Sequence, residues 1–365
     1  MGLVVAETAQ VRTRPGRALI WATAGWAAFL LAHLALSGRW WFWQIPASLP
    51  PVLLVAIPVL LLMLAVLGRQ ANRWLAGALV ACLALGAPRS GLRFPLAGES
   101  FVPAGAIRVF AWNTEYWDQD EDPEHFYRYL RAQRADVYLL QEYLGWDLAD
   151  PIDGQRPVDD LARLRREFPD YQIAVRGELL TLSRYPIAAQ PAVAPDHGSG
   201  DFETQFRDAK VLRTDLRVGE RILSVYNVHI AVQLKLVNPL SRACYAFVRR
   251  ADPQRRAQYR GLAQDLAANP HPVLLAGDFN TSPAMPELTD ISDRLRDAVA
   301  ASPSAYPATW PASAPLWRLD WAFTSATLRT HSYRLVSPET LSDHLGQSLT
   351  VSLPAEPPGD GQADR

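Results

Sequence analysis

Residues 271–283 read HPVLLAGDFNTSP. The apolar run at residues 273–276 has the length and composition of a buried strand. It breaks at Gly277 into Asp278, Phe279 and Asn280. Side chains alternate faces along a strand, so Asp278 and Asn280 point the same way. The same arrangement recurs along the chain. Polar residues stand where apolar strands end, at Asn113 with Glu115, at Glu142, at His229, at Asp320, and at Asp343 with His344. Burying a carboxylate costs several kcal/mol unless it is paired or binds a metal. So many polar strand ends are best explained if they meet around one cation.

Outward from this stretch, strands and helices alternate. IRVFAWNT, ADVYLLQE, YQIAVRG, LLTLSRYPI, AKVLRTDLRV and RILSVYNVHI read as strands, followed late in the chain by LDWAFTS, TLRTHSYRLVS and LSDHLGQSLTVSL. PEHFYRYLRAQ places Phe126, Tyr129 and Leu130 on one helical face, and DDLARLRREF is a second helix with Asp159 or Asp160 at its start. DPQRRAQYRGLAQDLAAN is a third, leading into the opening strand. This pattern predicts packed sheets flanked by helices.

The first hundred residues differ in kind. Apolar blocks fall at 19–36, 45–67 and 74–87, and Trp40, Trp41 and Trp43 lie between the first two. The first two blocks are long enough to cross a hydrocarbon core of about 30 Å, and the tryptophans suit its interface. Three transmembrane helices are therefore expected within an anchor over 1–90, with the third block marginal in length. Arg12, Arg14 and Arg17 precede the first block, Arg69 and Arg73 follow the second, and only Arg39 lies between them. That asymmetry places the N-terminus in the cytoplasm and the remainder of this integral membrane protein outside it. His33, near the end of the first block, is expected to snorkel to the interface. A Gly- and Pro-rich linker over 91–105 leads to a catalytic domain over 106–353, and the tail 354–365 reads as disordered.

The whole chain has net charge -1, but residues 1–105 carry 8 Arg against 2 Glu, so the remainder is acidic. An acidic domain argues against binding nucleic acid by general charge. The only cysteines, Cys82 and Cys244, do not suggest a disulfide framework.

The segments AWNT, LLQE, LSRYPI, NVHI, LAGDFNTSP, LDWAF and SDHL, in this order over about residues 106–351, resemble the endonuclease/exonuclease/phosphatase (DNase I-like) superfamily. The resemblance implies a four-layer α/β/β/α sandwich with its site at one edge of the two sheets. It implies a phosphoric ester hydrolase that uses Mg²⁺ or Mn²⁺ and attacks a phosphodiester or phosphomonoester in line with water. Asn113, Glu142 and Asp343 would be metal residues. His229, Asp278, Asn280, Asp320 and His344 would be catalytic, with Asp320 orienting His344. Oxygen donors of this kind suit a hard cation. Glu115 stands where many members have Asp, and is a further candidate ligand. A nuclease and a catalytically silent membrane scaffold are the alternatives. No protein partner is implied.

Three features lie outside this pattern. Glu178, in GELLTLSRYPI, occupies a place where a small or apolar residue is common. Arg207 and Lys210 read either as steering groups for an anionic substrate or as a solvated strand edge. The stretch 231–256 mixes apolar with basic residues, which suits either a helix packed on the domain or a surface resting on an anionic bilayer and reading a lipid head group.

Overall fold

The computed structural model describes residues 16–94, 100–117, 122–147, 154–234 and 238–353. The expected tail lies outside them. Helices α1 (Arg17–Leu36), α2 (Gln44–Ala47), α3 (Leu53–Leu67) and α4 (Arg73–Gly86) come first. Then follow β1 (Ile107–Asn113), α5 (Pro123–Ala132), β2 (Val137–Gln141), β3 (Leu144–Trp146), β4 (Gln155–Pro157) and α6 (Leu161–Glu167). Next are β5 (Gln172–Arg176), β6 (Leu179–Ser183), β7 (Ile187–Ala189), α7 (Phe202–Asp208), β8 (Val211–Val218) and β9 (Arg221–His229). The chain continues through α8 (Arg242–Ala268), β10 (Val273–Asp278), α9 (Thr289–Ser292), β11 (Arg296–Asp297), β12 (Asp320–Thr324), β13 (Arg329–Val336) and β14 (Gly346–Ser352).

Two six-stranded sheets, ordered β13-β14-β1-β2-β6-β5 and β11-β12-β10-β9-β8-β7, face each other. Period-two alternation decides what each face carries. Val109, Ala111, Val137, Leu139, Leu223, Val225, Leu274, Ala276 and Ala322 meet between the sheets. Phe110, Trp112, Tyr138 and Leu140 point the other way, onto Phe126, Leu130 and Leu164 of α5 and α6. Tyr226, Leu275 and Phe323 pack on Tyr259, Leu262 and Leu266 of α8. Each such aliphatic side chain contributes about 1.5–3 kcal/mol by leaving water. The result is the four-layer α/β/β/α sandwich.

The same alternation places the site. Asn113 continues the inward series of Val109 and Ala111, Asp278 that of Leu274 and Ala276, and His229 that of Leu223 and Val225. Register completes the arrangement. Asp278 lies opposite His229 on parallel β9 and opposite Asp320 on antiparallel β12. Gly277 allows the close approach to β9: its φ is +143°, and a Cβ there would collide with the Val228 carbonyl oxygen. Gly277→Ala is expected to cost about 2–4 kcal/mol, read as a lowered urea midpoint at unchanged m-value.

The N-terminal part is more broken than its hydropathy suggested. Among the described residues only α1, with 20 residues, is long and apolar enough to cross a membrane. Pro50 and Pro51 stand in the break between α2 and α3, within the second block, because two successive prolines lack the N–H groups a continuing helix needs. What remains is α3, 15 residues long, or about 22 Å at 1.5 Å per residue. α4 has 14 residues. His33 does not snorkel. It is buried, accepts from Trp43 Nε1 at 3.2 Å, and its Nε2 meets the Ala284 carbonyl at 2.8 Å. The third domain helix begins earlier than expected, at Arg242. Ser241 caps it by accepting from the Cys244 amide, and the buried series Cys244, Val248, Ala251, Arg255 carries the helical period across Pro253. Both cysteines are free and buried.

Candidate active site

The nine residues singled out in the sequence occupy one end of the sandwich, where the inter-sheet core turns polar. Asn113 Nδ2 donates to Glu142 Oε1 at 3.0 Å and to Asp278 Oδ2 at 3.1 Å, bridging the two sheets. Asp278 is buried, and its Oδ1 accepts the Asn280 amide at 2.7 Å. His344 Nδ1 stands 2.8 Å from Asp320 Oδ2, leaving Nε2 3.8 Å from Asp278 Oδ2 and 3.8 Å from Asp343 Oδ1. His229 Nε2 approaches from the opposite side, 3.7 Å from Asp278 Oδ2 and 3.9 Å from Glu142 Oε1. Glu115 Oε2 accepts the Asp343 amide at 2.8 Å, and Trp310 Nε1 donates to Asp343 Oδ2 at 2.7 Å. Asp320 is not paired with its neighbour Arg318 among the described residues. Arg318 makes a two-pronged pair with Asp297 instead.

Backbone strain collects here. Of the seven described non-glycine residues with positive φ, four lie here, Glu115, Tyr116, Glu142 and Asn280 at 49°, 72°, 64° and 46°; the others are Arg69, Arg134 and Glu339. This left-handed region costs on the order of 1–3 kcal/mol for most side chains, and such residues cluster at functional sites. At Glu142 the strain lets the carboxylate turn back after β2 to accept both Asn113 and, on Oε2, the Tyr116 amide at 3.0 Å.

Glu178 finds its explanation in three dimensions. It is 1% exposed, pairs with the Lys210 ammonium, and stands 3.2 Å from His229 Nδ1. Burial opposes its ionisation, but His229 and Lys210 outweigh burial and hold the carboxyl down at about 2. Lys210 therefore neutralises a buried acid and does not steer substrate from the surface. Arg207 is exposed and pairs with Asp208. Two further buried amides went unnoticed in the sequence. Gln141 Nε2 donates to Asn227 Oδ1 at 2.6 Å, and Asn227 donates to the Leu140 and Leu180 carbonyls. They form a polar floor between the sheets beneath the site. The available signal was parity: Gln141 and Asn227 sit on the inward series of β2 and β9.

Electrostatics separates the groups. Burial raises Asp278 to about 6, His344 and His229 pull the other way, and Asp320 adds to the rise. For His344 burial favours the neutral ring, yet Asp320 and Asp278 overcome it and lift the imidazole to about 10. His229 is raised too, against burial, by Glu178 and Asp278. Burial, then Asp343, raises the Glu115 carboxyl, while the Asp343 amide lowers it and Glu142 raises it further.

The donors suit a cation. Glu115, Glu142, Asp278, Asp320 and Asp343 outnumber the two imidazoles facing them, and Asp320 Oδ1 is buried without a hydrogen-bond partner. Asp278, Asp320 and His344 each offer an atom within 4.8 Å of the others. Since His344 Nδ1 and Asp320 Oδ2 already serve each other, the oxygens around Asn113 and Glu142 are the better match for a hard divalent ion.

A buried carboxylate between two imidazoles, each with a further carboxylate beside it, lies at the edge of a two-sheet sandwich, the architecture of the DNase I-like class of phosphoester hydrolases. Residues 110–344 match the Endonuclease/Exonuclease/phosphatase family, and the chain belongs to it. No curated protein matches the chain. Among solved structures it is similar to an endonuclease/exonuclease/phosphatase family protein from Leptotrichia buccalis, with 16% identity over 68% of this chain and 100% of that one, TM-score 0.50. Truncated TDP2 from Caenorhabditis elegans shows 19% identity over 69% and 99% of the two chains, TM-score 0.46. A 3′ phosphatase, NExo from Neisseria, bound to product DNA hairpin, shows 15% identity over 68% and 100%, TM-score 0.47. The family match begins after the N-terminal helices.

Proposed function

We propose that the protein is a membrane-anchored, divalent-metal-dependent phosphoesterase that hydrolyses a phosphodiester or phosphomonoester by in-line attack of water. One observation carries the reading: Asp278, buried at the strand end, is flanked by two imidazoles, each with a further carboxylate beside its Nδ1, Asp320 in hydrogen bond with His344 and Glu178 3.2 Å from His229. Asp278 orients and deprotonates the attacking water, and Asn280 fixes that water or a phosphate oxygen. Protonated His344, oriented by Asp320, donates to a non-bridging oxygen. His229, oriented by Glu178, donates to another or protonates the departing oxygen. Asn113, Glu142 and Asp343, with Glu115 as a further ligand, would hold Mg²⁺ or Mn²⁺, which when bound would offset charge building on the phosphate oxygens.

α1 supplies the anchor, with α3 and α4 beside it. The arginine asymmetry supports a cytoplasmic N-terminus and an extracytoplasmic domain. A reporter active only outside the cytoplasm, fused at the C-terminus, should be active; silence there overturns the orientation.

Turnover of bis(p-nitrophenyl) phosphate with Mg²⁺, abolished by a chelator, tests the chemistry. Glu142→Ala should lower this turnover by on the order of 10²-fold or more and weaken Mg²⁺ binding measured by calorimetry. Unchanged Mg²⁺ affinity would remove Glu142 from the metal set.

A further inference from the structure

The anchor and the active site share one end of the molecule. Contacts from the N-terminal helices to the sandwich run from the last turns of α1, where Leu30, Leu54 and Cys82 cluster with Ala284, from the α1–α3 connection and from the chain after α4. His33 meets Ala284, four residues beyond Asn280. Ser48 O accepts Trp317 Nε1 at 2.9 Å, and Trp317 packs on Trp310, which bonds Asp343. Gln44 donates to Asp252 at 2.6 Å, and Trp41 meets Tyr245 edge-on, both on α8. Arg93 donates its amide to Ala305 O at 2.9 Å. At the opposite end of these helices, Gln70 ties back to Gly16 and Ala65, within the helical part itself. The lipid boundary of α1 therefore falls at the rim that holds Asp278, Asp343 and His344, and not at the far rim where β12 ends in Thr324.

That rim is dressed for a bilayer. Trp40, Leu49, Tyr245 and Leu316 are exposed, each in sequence beside or at one of the contacts just described, and Leu240 is exposed just before α8 begins. On the first turns of α8, Arg242, Arg249 and Arg250 are exposed and, among the described residues, make no ion pair. Apolar and aromatic side chains interspersed with unpaired arginines are complementary to an anionic head-group layer. Phosphate carried by lipid would already lie at the depth of the site, whereas a bulky soluble polymer would have to enter between the domain and the membrane.

We propose that the substrate is a phosphoester borne by a bilayer lipid, reached at the membrane surface through the face formed by α8 and the α1–α3 connection. The proposal rests on the phosphoesterase reading above. Hydrolysis joins a water oxygen to phosphorus, breaks one ester P–O bond of the head group, and passes a proton to the departing oxygen.

The test uses the full chain reconstituted in vesicles containing phosphatidylcholine, phosphatidylethanolamine, phosphatidylglycerol and a phosphatidylinositol phosphate, with Mg²⁺. Lipid products are followed by mass spectrometry. Bis(p-nitrophenyl) phosphate and single-stranded DNA and RNA oligonucleotides are run in parallel. Loss of a head-group phosphoester from one vesicle lipid is expected. Combined Leu240→Ser and Tyr245→Ser should slow that loss about tenfold while turnover of the soluble diester stays within about twofold. Hydrolysis of the soluble diester and an oligonucleotide with every lipid intact would overturn the proposal and leave the phosphoesterase reading standing. So would a double variant that slows soluble and lipid substrates alike. Silence on every substrate, the soluble diester included, would sink both.

Discussion

Asp278→Asn is expected to lower kcat on bis(p-nitrophenyl) phosphate by on the order of 10³-fold, the range lost when a positioned base is removed. The change is close to isosteric, so packing around Phe279 and Ala276 should survive and the melting temperature should move little. What disappears is the charge at the centre of the site. Oδ2 of Asp278 accepts Asn113 and faces both His229 and His344, and a carboxamide nitrogen there would confront donors. Circular dichroism would establish that the variant is folded. A folded variant with undiminished kcat would remove Asp278 from the chemistry.

Glu178→Ala should have the largest effect on stability. It would leave Lys210 and His229, 4% and 9% exposed, without their shared counter-charge. Breaking a buried pair by deleting one partner costs about 3–5 kcal/mol, which for a domain of this size is a fall of about 10 °C in Tm. The pH dependence gives a second readout. Glu178 is held at about 2, below its ordinary 4.5, by His229 and Lys210 against burial. A depressed acid contributes fully above its unfolded value, and that contribution is lost as pH falls from about 4.5 toward 2. The wild-type protein should therefore lose stability across that window, and the variant should show a flatter acid limb. Identical limbs would show that the Glu178 carboxyl is not held below its unfolded value. Turnover should fall as well, because His229 loses the carboxylate 3.2 Å from its Nδ1 that favours its protonated form.

Much of the sandwich was legible because the signals are local. Alternation along IRVFAWN and VLLAGD fixes which side chains face the other sheet, and the polar break after Ala276 marks where core ends and site begins. The helix at residues 252–269 was legible in its second half only. Its earlier start depends on the Ser241 cap and on burial of Val248 against the rest of the fold, neither of which hydropathy reports. The second apolar block shows the opposite error. Its composition reads as a long helix, but the successive Pro50 and Pro51 cannot supply the two N–H groups needed to carry a helix across them, whereas the single Pro58 and Pro253 are accommodated within α3 and α8.

The sequence alone determined the inward placement of Asn113, His229, Asp278 and Asp320, since strand parity depends only on neighbours along the chain. It could not determine which strands would lie side by side. That pairing sets Asp278 between His229 and Asp320 and gives Glu178, from a separate strand, to His229 and Lys210. Nor could it show that the N-terminal helices dock on the rim that holds Asp278 and His344. Both are contacts between segments far apart in sequence, and they exist only once burial of the two sheets has fixed the register that brings them together.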